Sequence, residues 1–377
     1  MKIVYCIAGT YNSGGMERVL ANKANYLAVH GYEVVIITTD QRGKQPFFDL
    51  DRRIRCHDLG INYEENNGKS FLNKLVHYPF KQWKHRKRLS ECLKQTNAAI
   101  AVSMFCNHSS LLWKMNDGSR KILEIHFSRY KRRQYGRQGI WKLVDRWRSW
   151  MDERTVKKYD CFVVLTAEDQ SYWGNLSNIT VIPNALTYSV PQSHISSLTA
   201  RRVIAIGRYG YQKGFDYLID AWRIIHSFQP EWTLDIIGDG EWMNRLQQQI
   251  KENALEHCVF LKPPTRHIED EYRRASLLVL SSRYEGLPMV LLEAQSFGLP
   301  TVSFTCKCGP KDVITEGENG FLVSEGNIPM LADRMLRLME DDELRRCMGL
   351  SAYHHSKAFS EEKIMQRWIG LFNNLTI

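Results

Sequence analysis

The chain has 377 residues, 44% hydrophobic and 24% charged, with a formal net charge of +10. That length accommodates two domains with a core each, and the composition excludes a disordered or fibrous protein. Nine cysteines without a Cys-x-x-Cys pair argue against a disulfide framework or a zinc ribbon, and for reduced thiols in a cytoplasmic protein. Cys306 and Cys308 are the closest pair, but no second Cys or His pair has matching spacing, so no metal is expected.

Ile3 to Ala8 is an apolar run before Gly9, too short for a signal-peptide core and suited to a buried first strand. No apolar stretch approaches the roughly 20 residues of a membrane span, so no crossing of a bilayer is expected. The turn Asn12-Ser13-Gly14-Gly15 precedes a helix, Met16 to His30, with Val19, Leu20, Ala24 and Leu27 at helical spacing. Gly31 ends it, and Val34 to Ile37 is the next parallel strand. A βαβ unit of this kind opens a doubly wound domain. Gly14-Gly15 lacks the G-x-G-x-x-G spacing, so a dinucleotide cofactor is not expected.

A short strand is predicted within Asp49 to His57, and a basic helix over Phe71 to Leu93. Tyr78, Phe80 and Trp83 stand there among Lys81, Lys84, Arg86, Lys87 and Arg88. Strands follow at Ala98 to Val102 and Ile122 to Ile125, with His126 at the carboxyl end of the second. A basic, aromatic segment holding Lys131, Arg132 and Arg133 leads to the strand Cys161 to Leu165, the turn Thr166 to Asp169 and the segment Val181 to Ala185. From Lys81 to Asp160 there are 20 Lys/Arg against 7 Asp/Glu, more than the whole net charge. The basicity is local to the first half.

A second series begins at Val203 to Gly207, followed by a loop holding Arg208 and Lys213 and a helix from Tyr217 to about Phe228. Leu234 to Ile237 is a strand, then come Gly238-Asp239-Gly240, a helix through Ile250 and a short strand at Val259 to Leu261. Leu277 to Leu280 is wholly apolar, as in a strand covered on both faces. After the polar turn Ser281 to Gly286, Pro288 suits a first helical position, and Met289 to Phe297 runs to Gly298. Thr301 to Phe304 and Gly320 to Val323 are further strands, and helices are predicted over Pro329 to Glu340 and Glu361 to Phe372. Glu285 therefore sits at the carboxyl end of a strand, where open α/β sheets bind ligands. Glu293 lies in an apolar helix, a costly place for an acid unless a pocket uses it.

Glu285 and Glu293, with seven residues between them, resemble the Glu-x7-Glu signature of retaining GT-B glycosyltransferases, and their flanks resemble glycosyltransferase family 4. The resemblance is strongest from Val203 to Val323 and looser over the rest of the chain. It implies an α/β, GT-B architecture of two Rossmann-like doubly wound domains. Residues 1–185 would form the acceptor side and 186–356 the donor side, with a terminal helix in 357–377 returning to the first domain. Glu285 would contact the transferred sugar and Glu293 the ribose hydroxyls. Amides near Gly286, Leu287 and Met289 would approach sugar and phosphate, Pro288 having no N–H to offer. A helix N-terminus and vicinal hydroxyl acceptors suit that ligand physically.

By the same resemblance Arg208 and Lys213 neutralise the donor diphosphate, where charge builds as it leaves. Gly14 and Gly15 belong to the glycine loop near diphosphate and acceptor, and His126 reaches toward the sugar. Members of this kind need no metal or cofactor, and an Asp-x-Asp motif is not expected in the chain. The expected activity is retaining transfer of a hexosyl residue from a nucleoside-diphosphate sugar, with UDP as nucleotide, in bacterial capsule or O-antigen-type polysaccharide synthesis. The expected acceptor is a lipid-linked glycan at the inner face of the cell membrane. Lys81, Trp83, Lys84, Arg86, Lys87, Arg88, Lys131, Arg132 and Arg133 would meet anionic headgroups there. Two other readings stay open: a sugar-nucleotide epimerase of the same fold, and a nucleic-acid-binding protein built on the basic region. No known nucleic-acid motif supports the last, and no nucleic-acid partner is expected.

Overall fold

The computed structural model describes residues 1–66, 71–130 and 139–376. Its first half runs β1 (Lys2–Ile7), α1 (Gly15–Val29), β2 (Glu33–Thr38), β3 (Arg55–Asp58), α2 (Phe71–Thr96), β4 (Ile100–Ser103), β5 (Arg120–Glu124), α3 (Ile140–Val156), β6 (Cys161–Val164), α4 (Ala167–Tyr172) and β7 (Ile179–Val181). These strands form one parallel sheet in the order β3-β2-β1-β4-β5-β6-β7. Because side chains alternate along a strand, β1 feeds two cores. Ile3, Tyr5 and Ile7 enter one, and Val4 and Cys6 enter the other. The first core also receives Ile364, Met365, Trp368 and Phe372 from the last helix of the chain. Lys131, Arg132 and Arg133 lie outside the described residues.

The second half runs β8 (Arg202–Ile206), α5 (Phe215–His226), β9 (Thr233–Ile237), α6 (Met243–Glu252), β10 (Val259–Lys262), α7 (Ile268–Arg273), β11 (Leu277–Leu280), α8 (Met289–Ser296), β12 (Thr301–Phe304), α9 (Pro310–Val313), β13 (Gly320–Val323), α10 (Ile328–Glu340), α11 (Asp342–Ser356) and α12 (Glu361–Thr376). Its six parallel strands are ordered β10-β9-β8-β11-β12-β13. In each sheet the order reverses beside the first strand of the half, at β1/β4 and β8/β11, which places the ligand-binding crevices at those carboxyl ends.

Local differences from the sequence expectation have identifiable causes. Pro288 is the N-cap of α8 and not its first residue, with extended backbone at φ −74° and ψ 92°. The predicted turn at Thr166 is the start of α4, where the Thr166 hydroxyl accepts from the amide of Asp169 at 3.0 Å. No helix was expected over Asp342–Ser356, because α11 buries polar groups among its apolar ones. Arg345 is buried there and donates to the carbonyls of Leu198 and Leu338. Among the described residues no helix is long and apolar enough to cross a membrane.

Candidate active site

The loops after β8 and β11 are locked together before any site residue is placed. Arg283, itself buried, clamps the Asp216 carboxylate with both terminal nitrogens, at 3.0 and 2.7 Å, and donates to the Tyr211 carbonyl. Gly214 has φ +61°, and a Cβ there would stand 2.2 Å from the Ser281 carbonyl oxygen, so only glycine lets the loops approach. The Ser281 hydroxyl donates to the Lys213 carbonyl at 2.9 Å. Lys213 is thereby aimed at Glu285, with Nζ 2.8 Å from Oε1. The same oxygen accepts from the Ser282 hydroxyl at 2.6 Å, and Oε2 from Gln212 at 3.5 Å.

Arg208 does not join this group. Its side chain is 78% exposed and pairs with Glu241 at 3.2 Å. Sequence reading did not reach Ser282, Gln212 or Arg283, because each acts through a partner about 70 positions away or through a three-residue turn. Ser282 and Arg283 lie in the polar turn Ser281 to Gly286, which is the local signal the sequence offers.

Glu293 is the fifth residue of α8 and buried. Its Oε2 accepts from the Tyr272 hydroxyl at 2.8 Å, while Arg18 Nη1 of the first domain stands 3.9 Å from Oε1. Burial pushes the Glu293 carboxyl above the usual range, against the Tyr272 hydrogen bond and the Arg18 charge. Tyr272 is held in turn by stacking on Phe297, with centroids 5.3 Å apart. Tyr272 carries no signal of its own in the sequence, whereas Arg18 ends the segment Gly14 to Arg18 that resembles the family's glycine loop.

The first domain supplies the facing wall. Gly286 abuts it, since a Cβ on this residue would lie 2.8 Å from the His126 carbonyl oxygen and 3.1 Å from Phe127 Cα. Neither His126 ring nitrogen has a hydrogen-bond partner among the described residues, and Nε2 is 3.3 Å from Glu124 Oε1. Glu124 is fully buried and pairs with buried Lys23 of α1, whose ammonium lies 3.8 Å from the Trp368 ring centroid on α12. Burial raises the Glu124 carboxyl, but Lys23 and His126 together outweigh it and hold the group near about 2. Lys23 has one anion only, and its burial wins, lowering the ammonium. Gly14 is the N-cap of α1, and the space where Gly15 would carry a Cβ is open. Leu287 is buried, and Gly286 and Met289 are half-buried beside it.

An Asp-x-Asp spacing does occur, at Asp49-Leu50-Asp51, but it precedes β3. There the Asp51 carboxylate takes Arg53 through both oxygens.

The cations of the basic helix α2 differ in their partners. Lys81 and Lys84, half-buried, and Arg88, exposed, donate to the carbonyls of Asn62, Gly60 and Leu59. Arg86 and Lys87 remain outward with Phe80 and Trp83, which are 63% and 60% exposed. On α3 a second exposed stripe runs through Leu143, Trp147, Trp150 and Met151, the i, i+4, i+7, i+8 spacing of one helix face.

Residues 13–189 match the family described as Glycosyltransferase Family 4, and residues 190–355 the family described as Glycosyl transferases group 1. The chain is similar to an uncharacterized glycosyltransferase of Haemophilus influenzae, 31% identical over 98% of this chain and 99% of that one. It is similar to the amylovoran biosynthesis glycosyltransferase AmsD of Erwinia amylovora, 27% identical over 99% of both. A Campylobacter jejuni relative, 26% identical over 98% of both, is named as an alpha-1,4-N-acetyl-D-galactosaminyltransferase acting on a glycan on PP-undecaprenol. Among solved structures, a variant of S. aureus TarM in complex with fondaparinux, alpha-GlcNAc-glycerol and UDP matches at a TM-score of 0.81 and 19% identity, over 99% of both chains. The chain belongs to the GT-B glycosyltransferases, with a family 4 amino-terminal half and a group 1 carboxyl-terminal half.

Proposed function

We propose that this glycosyltransferase moves a hexosyl residue from a nucleoside-diphosphate sugar, with UDP as nucleotide, to a lipid-linked glycan. The transfer retains anomeric configuration, needs no metal or cofactor, and serves bacterial surface-polysaccharide synthesis. The observation that carries the reading is the pair of buried carboxylates on one loop and helix. Glu285 is held by Lys213 and Ser282, and Glu293 by Tyr272 and Arg18. Two buried acids with seven residues between them are costly unless a ligand with many hydroxyls repays them. A sugar and a ribose are such ligands. Glu285 takes the sugar, Glu293 the ribose hydroxyls, and Lys213 the departing phosphate charge. His126 and Gly286 meet where the sugar lies. Arg208, exposed beside Glu241, joins the diphosphate when the nucleotide draws it in.

Support for the acceptor comes from the relatives and from the surface. The AmsD name records polysaccharide synthesis and the Campylobacter jejuni name a PP-undecaprenol glycan. The outward Phe80, Trp83, Trp147 and Trp150, mixed with Arg86 and Lys87, suit an anionic lipid surface on the acceptor side.

Incubation with a panel of UDP-sugars and undecaprenyl-pyrophosphate glycans, read by mass and by anomeric NMR, tests the reading. A product of inverted configuration, or activity that chelator abolishes and magnesium or manganese restores, refutes the corresponding part. Nucleotide binding is tested by thermal shift, since a ligand at 100 times its dissociation constant stabilises by about 2.7 kcal/mol.

A further inference from the structure

Away from the cleft, the carboxyl end of α5 meets the turn that leads into β10. His226 closes the helix, and His257 and Cys258 come immediately before the strand. Nε2 of His257 lies 3.0 Å from Nε2 of His226, and the rings meet edge-on with centroids 4.7 Å apart. With the Cys258 sulfur, one donor atom from each residue falls within 4.8 Å of the others. Cys258 is buried, His226 half-buried and His257 exposed, so the cluster has an apolar floor and one open side. Nδ1 of His226 and the indole nitrogen of Trp222, one turn earlier on α5, are buried with no hydrogen-bond partner among the described residues. The Cys258 thiol donates to the Leu255 carbonyl at 3.5 Å.

We propose that His226, His257 and Cys258 bind one zinc ion, at a site distinct from the donor site. A thiolate with two imidazoles is a borderline-soft set that suits zinc and not magnesium or calcium. Two imidazole nitrogens on a tetrahedral zinc stand about 3.3 Å apart, given bonds of about 2.0–2.1 Å. The observed 3.0 Å is already close to this. Binding releases the thiol proton to solvent and forms the zinc–sulfur bond. Water completes the coordination on the exposed side of His257.

The position argues for a structural role. β10 is an edge strand of the second sheet, and the ion would fasten its entry to α5. A helix of twelve residues spans about 18 Å. The other end of α5 adjoins Lys213 and Gly214, so the ion lies about that far from Glu285 and cannot reach the transferred group.

The test uses the full chain, stripped with chelator and dialysed, with zinc and cobalt(II) as probes. One zinc per chain is expected, and cobalt(II) should give the intense visible bands of a tetrahedral site with a sulfur charge-transfer band in the near ultraviolet. Cys258→Ser should remove the charge-transfer band, and His226→Ala and His257→Ala should each weaken zinc at least ten-fold. Zinc should raise the melting temperature of the parent and not that of the variants. His257→Gln, on the exposed side, serves if Cys258→Ser does not fold. No zinc at equimolar micromolar concentration, or equal affinity in parent and variants, overturns the proposal. Because no sugar donor is used, either result leaves the transferase reading untouched.

Discussion

Arg18 of α1 and Glu293 of α8 face each other across the two domains at 3.9 Å, and Glu293 is the more buried partner. The contact joins the glycine-loop helix to the carboxylate proposed to hold the ribose. Burial, against the pull of Arg18, gives Glu293 a pH signature. Its folded-state pKa is raised by burial, so the stability it contributes is complete below the unfolded value and is lost as pH rises through the folded one. Glu293→Gln should therefore flatten the fall in melting temperature on the alkaline side of that titration, while weakening nucleotide at least ten-fold by calorimetry. A glutamine variant that binds nucleotide like the parent would remove Glu293 from the ribose site.

Lys213→Ala should lower turnover at least ten-fold, about 1.4 kcal/mol, since it removes a cation aimed at developing phosphate charge. It also leaves buried Glu285 without its ion pair. Glu285→Ala should act mainly on turnover, and the double variant should fall short of the sum of the singles. Steady-state rates with a competent donor decide this, and an additive cycle would separate the two residues.

Lys23→Met should be strongly destabilising, by about 3–5 kcal/mol, because it strands a buried Glu124 carboxylate. Adding Glu124→Gln should recover much of the loss. The Glu124 carboxyl sits at about 2 in the folded chain. Its contribution is therefore present above the unfolded carboxylate value and lost as pH falls toward 2, a loss that the double variant should lack. Urea unfolding from pH 7 downward measures both effects.

The outward aromatics give a surface prediction. Trp83→Ser with Trp147→Ser and Trp150→Ser should leave the melting temperature within a degree or two, since all three are exposed, yet sharply reduce flotation with anionic vesicles. Arg86→Glu with Lys87→Glu should do the same and make the residual binding less salt-sensitive, since the screened cation–lipid attraction is gone. Parent protein that stays soluble with anionic vesicles at low salt would end the lipid-surface reading.

The strands were legible because buried parallel strands read as short apolar runs, and Leu277–Leu280 and Val34–Ile37 are such runs. The spacing of Glu285 and Glu293, together with the turn and helix that carry them, was legible for the same reason: both are set within one βα unit. Sequence alone thus determined the fold class, the two α/β halves and the two carboxylates. Tertiary structure decided who holds those carboxylates. Lys213 reaches Glu285 from 72 positions away, Tyr272 reaches Glu293 from 21, and Arg18 arrives from the other domain. It also decided which cations of α2 are free, because the carbonyls of Leu59, Gly60 and Asn62 that claim Arg88, Lys84 and Lys81 belong to a loop that no helical periodicity reveals. Short-range order follows from hydrogen-bond period and side-chain alternation, whereas the charge of a buried group is settled by neighbours that only folding brings within reach.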